Sequence, residues 1–270
     1  SCLEEAIMEA VSEHHENTTI THVVEKLKAQ DDPKSYAYDV AKALYSYTKD
    51  GMYGKYFEGE NNIDLDNRFV VLELDALKDK GILMSVVLSI LMTQINQAMY
   101  LAGNKAQMKM VIIDEAWKIM EKGRTGQFIE EGYRVARKHG GSYMTITQNV
   151  SDYFKVKKGP AEAAYQNSDF VLLLRQKDES VDTAVAEGQI NNSDGKAEIL
   201  KTLETEQGKF SEVALNTPDG MAVARLVVDP VTEKIYSTKA QEVAFLRQGE
   251  EDGKNIFEAI DELIKRGNSR

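Results

Sequence analysis

In the stretch MVIIDEAWKIM, residues 110–120, a run of apolar residues ends on two adjacent carboxylates, Asp114 and Glu115. A carboxylate is costly to remove from water unless a partner compensates it. A pair at the tip of an apolar strand therefore calls for solvent, a helix N-terminus or a cation. Several apolar residues followed by Asp-Glu is the pattern of a Walker B strand. There the Asp holds Mg²⁺, usually through water, and the adjacent Glu polarises the water that attacks a phosphate. The adjacency suits that chemistry, because the metal and the attacked phosphorus are neighbours. The competing reading makes Asp114 an N-cap and puts Glu115 in the first turn of a helix over AWKIMEKG, where the helix dipole favours both.

Other residues of suitable type lie downstream. The next apolar run, YMTITQ, ends in Thr147 and Gln148. A Gln at that place can hydrogen-bond a terminal phosphate or the attacking water and so act as a sensor; the alternative is an ordinary polar strand end. Arg134 and Arg137, three apart, share one face of a helix. Arginine suits phosphoryl charge because its planar fork stays ionised, and in a ring of subunits one such Arg reaches the neighbour's nucleotide. The alternative is a solvated basic face, with Lys138 adjacent and Glu130 and Glu131 as partners. Arg175 closes FVLLLRQ as a further strand-end cation.

A Walker B strand needs a phosphate loop, G-x-x-x-x-G-K-[ST], whose backbone N–H groups and Lys cradle the phosphates. The Gly-Lys pairs are Gly54-Lys55, Gly195-Lys196, Gly208-Lys209 and Gly253-Lys254. The residues five before each Gly are Lys49, Ile190, Leu203 and Gln248, and those following each Lys are Tyr56, Ala197, Phe210 and Asn255. None fits, so this sequence holds no Walker A motif. Either the fold binds no nucleotide, or the chain starts downstream of the loop and hydrolyses little or no ATP alone.

The elements that must position these residues read as follows. Helical spacing predicts three polar helices within residues 1–60, with Leu3, Ile7, Ala10 and Val11 inside the first, Thr19 or Thr21 capping the second, and Ala37, Ala41, Leu44 and Tyr45 lining the third. RFVVLELDAL (68–77) reads as a strand, 82–101 as a long apolar helix, 109–115 as a strand, 126–141 as a helix stopped by two glycines, 142–149 as a strand, 160–166 as a short helix and 169–176 as a strand. Apolar strands alternating with helices imply a parallel sheet covered on both faces. Around TPDG two β-rich runs form an antiparallel appendage, EKIYST adds a third, and NIFEAIDELIKRG (255–267) closes as an amphipathic helix with Ile256, Ala259, Ile260, Leu263 and Ile264 inside.

Composition narrows the class. The net charge is −11 in 270 residues, which leaves no basic footprint for wrapping duplex DNA. A single cysteine, Cys2, excludes an internal disulfide and fits a reducing compartment. The apolar run 82–92 is interrupted by Thr93 and Gln94 and is too short for a bilayer. With no initiator Met or signal peptide, we expect a cytoplasmic part of a longer protein. His14 and His15 read as a solvated face, Trp117 as a core-anchoring aromatic, Asp75 as a cap and the Met-rich helix as core.

Taken together, VIIDEAWKIM, GYRVARKHGGSYMTITQNVSDYF, NSDFVLLLRQK and GKFSEVALNTPDGMAVARLVVDPVTEKIYST resemble, in order over residues 67–270, the C-terminal ATPase domain of the TraC family of conjugative type IV secretion ATPases. The helical segment before them resembles it more weakly. The resemblance implies an α/β, RecA-like, mostly parallel sheet flanked by helices, with an N-terminal helical insertion (1–66) and an ATPase core (67–270) that ends in the antiparallel appendage and helix. It implies ATP and Mg²⁺ as cofactors in the full-length parent, with Asp114 as metal ligand, Glu115 as catalytic carboxylate, Gln148 as sensor, Arg137 as candidate arginine finger, and Arg134 and Arg175 near the nucleotide. It also implies self-association as hexamer or dimer. The setting is the cytoplasmic face of the bacterial inner membrane, with channel proteins and a coupling protein as partners in pilus assembly and substrate transfer, and no direct nucleic acid. Two rivals stand beside it: a DNA-translocating motor of coupling-protein or FtsK/HerA type, and a non-catalytic α/β interaction module.

Overall fold

A computed structural model describes residues 1–30, 36–60, 67–101, 107–120, 123–192 and 195–267. The chain forms two compact units, Ser1–Leu91 and Met92–Arg270.

The first unit is built from α1 (Cys2–His14), α2 (Ile20–Ala29), α3 (Tyr36–Leu44) and the short α4 (Gly54–Phe57). Ala6, Val24, Leu27, Ala37 and Ala41 form its core, with Leu3, Ile20, Val23, Val40 and Leu44 packed around them. Small alanines on α1 and α3 let the helices approach closely. The buried face of α1 is therefore Ala6 and Ala10, while the expected Ile7 and Val11 stand exposed, as does Tyr45 beyond α3. Thr19 is the N-cap of α2, and His22 Nδ1 accepts its backbone N–H (3.2 Å). Thr21 instead lies buried inside α2, where its backbone N–H and hydroxyl both donate to Glu58, and its hydroxyl accepts from Lys49 N (3.0 Å). His14 stacks on His22 with ring centroids 3.7 Å apart.

In the second unit β1 (Lys109–Ile113) and β2 (Gly141–Thr145) run parallel, in register from Lys109↔Gly141 to Ile113↔Thr145. The crossover between them is α6 (Arg124–Val135), extended by a 3₁₀ turn over Ala136–His139 and stopped by Gly140 in the left-handed conformation, as the glycine pair predicts. α7 (Pro160–Gln166) starts on a proline at N1, as its sequence predicts. β3 (Val171–Leu174) pairs antiparallel with β5 (Phe210–Thr217), which also pairs with β4 (Thr205–Glu206) and β6 (Gly220–Leu226). The two-residue Pro218-Asp219 turn closes the β5–β6 hairpin at Thr217↔Gly220, and Gly220 takes φ 135°. α8 (Asp178–Ala186) and α9 (Lys196–Thr202) contribute Val181, Ala184, Ala197 and Leu200 to a core shared with Val150, Leu203 and Ala214. The chain closes through α10 (Pro230–Ile235), α11 (Ala240–Glu251) and α12 (Ile256–Gly267). Ala259 and Ile260 of α12 are buried, whereas Ile256 is exposed.

The α/β class holds; three strand-level expectations and one about the length of an apolar helix need correction. Residues 68–74 make no sheet, because no described strand offers them an edge, and Phe69 and Val71 stand exposed. Asp75 opens a short 3₁₀ turn and pairs with Lys78 at 3.5 Å. The strand at 171–174 joins the antiparallel sheet, so among the described residues β1–β2 is the parallel pair. EKIYST does not extend the sheet: Asp229 Oδ1 accepts from Val231 N (3.0 Å) and Thr232 N (3.1 Å), Pro230 follows it, and together they start α10. Finally, α5 (Gly81–Asn96) continues as a π turn through Leu101. Its 21 residues include an 18-residue window of mean hydropathy 1.6 and are long and apolar enough to cross a membrane by length and composition. Thr93 and Gln94 do not interrupt the helix. Leu83, Leu91, Met92 and Met99 are buried along it, while Ile82, Ile90 and Leu101 are not.

Candidate functional site

The carboxyl ends of β1 and β2 lie side by side because the strands are parallel and in register. Pairing continues past the strands proper: Ile146 N donates to Ile113 O (2.9 Å) and Ala116 N to Ile146 O (3.0 Å). These two bonds bring the segment after β2 against the segment after β1, and so bring Gln148 to Glu115. The Gln148 amide donates from Nε2 to Glu115 Oε1 at 3.0 Å. The indole N–H of Trp117 donates to the other oxygen, Oε2, at 2.5 Å. Both bonds favour the ionised form and hold the Glu115 carboxyl below its ordinary pKa, Gln148 contributing most and Lys118 adding a smaller attraction. Asp114 is exposed, and its Oδ1 accepts the Glu115 backbone N–H at 2.8 Å.

Glu115 occupies the left-handed region, φ 49°, ψ 38°. That conformation is uncommon for a residue with a Cβ, and it turns the chain sharply after Asp114. Only a three-residue 3₁₀ turn follows, Ala116–Lys118, and the described residues of AWKIMEKG form no α-helix. The alternative in which the carboxylates cap a helix there therefore does not hold. Among the described residues no group of three or more His, Cys, Asp or Glu is placed to hold a metal on its own. A hydrated Mg²⁺ needs only one or two carboxylates, since water and phosphate oxygens complete its shell. The exposed Asp114 carboxylate fits that requirement. The phosphate cradle has no counterpart in this sequence.

The arginines are not gathered at this tip. Lys109 N donates to Gly140 O (3.0 Å), so the Ala136–Gly140 segment lies at the amino ends of the strands. Arg137, exposed there, is a full strand length from Glu115, roughly 16 Å for five residues. Arg134 is ion-paired with Glu130 at 2.8 Å within α6. Arg175 is exposed just beyond β3, in the other sheet, and pairs with neither carboxylate.

Two features escaped the sequence reading. Trp117, expected as a core anchor, is the hydrogen-bond partner of Glu115. Thr145, the last residue of β2, collects two tyrosine hydroxyls, Tyr133 from α6 (2.8 Å) and Tyr153 from the turn Val150–Phe154 (2.9 Å). The residue spacing carried no signal for either, since both depend on where the chain bends after a strand.

A model of the TraG P-loop domain matches residues 7–267. Protein TraC of Escherichia coli (strain K12) is 32% identical over 265 residues, covering 90% of this chain and 29% of that protein. The chain thus spans less than a third of that relative's length. The structure of VirB4 of Thermoanaerobacter pseudethanolicus resembles this one with a TM-score of 0.60 at 20% identity, covering 84% of this chain and 63% of that one; at this identity the likeness concerns the fold, which fits the RecA-like class. The family match extends over nearly all of the sequence and includes the strand pair and its acidic tip, and the chain is therefore a member of the TraG P-loop domain family.

Proposed function

We propose that this chain supplies the Walker B half of an ATP-hydrolysing site in a type IV secretion motor that drives pilus assembly and substrate transfer. The observation that carries the reading is the trio at the carboxyl ends of the parallel pair: exposed Asp114, Glu115 in a strained turn, and Gln148 bonded to it at 3.0 Å. Ligands of parallel α/β sheets bind at that edge.

Asp114 would hold Mg²⁺ together with water and phosphate oxygens, and the ion, when bound, would neutralise charge on the transferred phosphoryl group. Glu115, ionised because two donors favour its charged form, takes a proton from the attacking water as general base. Gln148 passes between Glu115 and the water or terminal phosphate, and so reports the state of the nucleotide to the turn behind it. Arg137, at the opposite end of the strands, serves a neighbouring subunit's nucleotide in a hexamer or stacked dimer. Arg134 and Arg175 are secondary nucleotide contacts. Residues 1–66 form a helical insertion subdomain and 67–270 the core. The full-length protein works at the cytoplasmic face of the inner membrane with channel and coupling proteins.

The test is Glu115→Gln in the full-length parent. Turnover falls about 10²- to 10⁴-fold, as for loss of a general base, while nucleotide binding persists. Wild-type turnover removes the catalytic assignment.

A further inference from the structure

The chain has one tryptophan, Trp117, and its indole sits inside a closed circuit of contacts. Its N–H donates to Glu115 Oε2, while Glu115 Oε1 accepts from Gln148. Its ring face carries Lys155 Nζ at 5.2 Å and Lys118 Nζ at 5.7 Å. Lys155 is ion-paired with Asp152 Oδ1 at 2.7 Å, and Asp152 Oδ2 accepts the backbone N–H of Asn149 at 3.2 Å. Asn149 follows Gln148 directly, which closes the circuit. One route from the carboxylate to the Val150–Phe154 turn thus runs through Gln148, and a second runs through the indole.

We propose that Trp117 is a positioning residue for Glu115: its N–H holds one carboxylate oxygen, and Lys155 on its ring ties that carboxylate to the turn behind Gln148. This rests on Glu115 being the catalytic base. A carboxylate attached to a left-handed turn at an exposed strand tip has many orientations open to it. Gln148 alone fixes one oxygen and leaves rotation about that bond. A second donor on the other oxygen removes that freedom, and a misplaced base loses rate steeply. A ring without an N–H fills the same space but cannot do this, so the role belongs to tryptophan rather than to any aromatic. The charged groups facing Glu115 are Asp114 beside it, Lys118 one turn on, and Lys155 across the indole.

The single indole N–H gives one resonance that reports on the contact directly, in this chain and without turnover. Glu115→Gln shifts the resonance, and Lys155→Ala shifts it as well. In the full-length parent, Trp117→Phe lowers kcat about 10- to 100-fold with KM for ATP unchanged. An indole resonance indifferent to Glu115→Gln overturns the positioning role and leaves the catalytic reading standing. A responsive resonance together with wild-type turnover of Glu115→Gln overturns the catalytic reading, and with it the positioning role, while the contact itself stands.

Discussion

Glu115 combines three properties that ordinary surface glutamates lack: a left-handed backbone, two side-chain donors and a lowered carboxyl pKa. The backbone cost is paid only because the bonds on either side, Ala116 N to Ile146 O and Glu115 N to Asp114 Oδ1, hold the turn. Strain at such a place is relieved by glycine, which lacks the Cβ that causes it. Glu115→Gly therefore unfolds at higher urea than Glu115→Ala, since both lose the carboxylate and only alanine keeps the strain. The pKa shift has a consequence of its own. A carboxyl whose folded pKa lies below its unfolded value contributes stability above the unfolded pKa, and that contribution fades as pH falls through the folded pKa. The difference in urea midpoint between the wild-type chain and Glu115→Gln is accordingly largest near neutral pH and shrinks through the carboxylate range.

Among the elements, the β1–α6–β2 unit sets the geometry of the tip. α6 lies close on β2 because Gly132 faces Tyr143: a Cβ at that glycine would stand 2.4 Å from Tyr143 Cζ. Gly132→Ala gains about 1 kcal/mol of helix propensity but forces that half-buried ring to move, at a cost of about 1–3 kcal/mol for overpacking. The net expectation is destabilisation in chemical denaturation, with the Tyr143 ring displaced. At the far end of β2, the Thr145 hydroxyl joins Tyr133 to Tyr153 and so joins α6 to the Val150–Phe154 turn. Thr145→Val keeps the shape and removes that acceptor, while both tyrosines keep their bonds to the Thr145 backbone (3.0 Å each). We expect a loss of about 1 kcal/mol, with hydrogen exchange faster in residues 146–154 than in α6.

For the molecule as a whole, what matters is what the two strands leave uncovered. Parallel strands are usually buried on both faces, yet Met110 and Ile112 of β1 are 58% and 55% exposed, and Met144 of β2 and Ile146 just beyond it are exposed in part. An apolar strip of this kind promotes association against a net charge of −11. Sedimentation of the isolated chain should therefore depend on concentration, and Ile112→Lys should weaken that dependence without unfolding the chain. Titration calorimetry of the isolated chain with Mg²⁺-ATP should give no measurable heat, because the donors of a phosphate loop are missing from its sequence while Asp114 alone makes a weak ligand.

The sequence by itself determined the elements whose signals are local. The apolar run ending at Asp114 and Glu115 marked β1, Gly140 and Gly141 stopped α6, Pro160 started α7, and TPDG closed the β5–β6 hairpin, each through a backbone preference or a periodicity carried by neighbouring residues. Tertiary structure decided whatever needs a partner distant in the chain. RFVVLELD has the pattern of a strand but finds no edge to pair with among the described residues, and VLLL finds β5 rather than β2. Trp117 turns to Glu115 because a left-handed residue bends the chain there. Arg137, one strand away from Gln148 in sequence, stands at the other end of the strands, because a parallel crossover returns the chain to the end from which the strand set out.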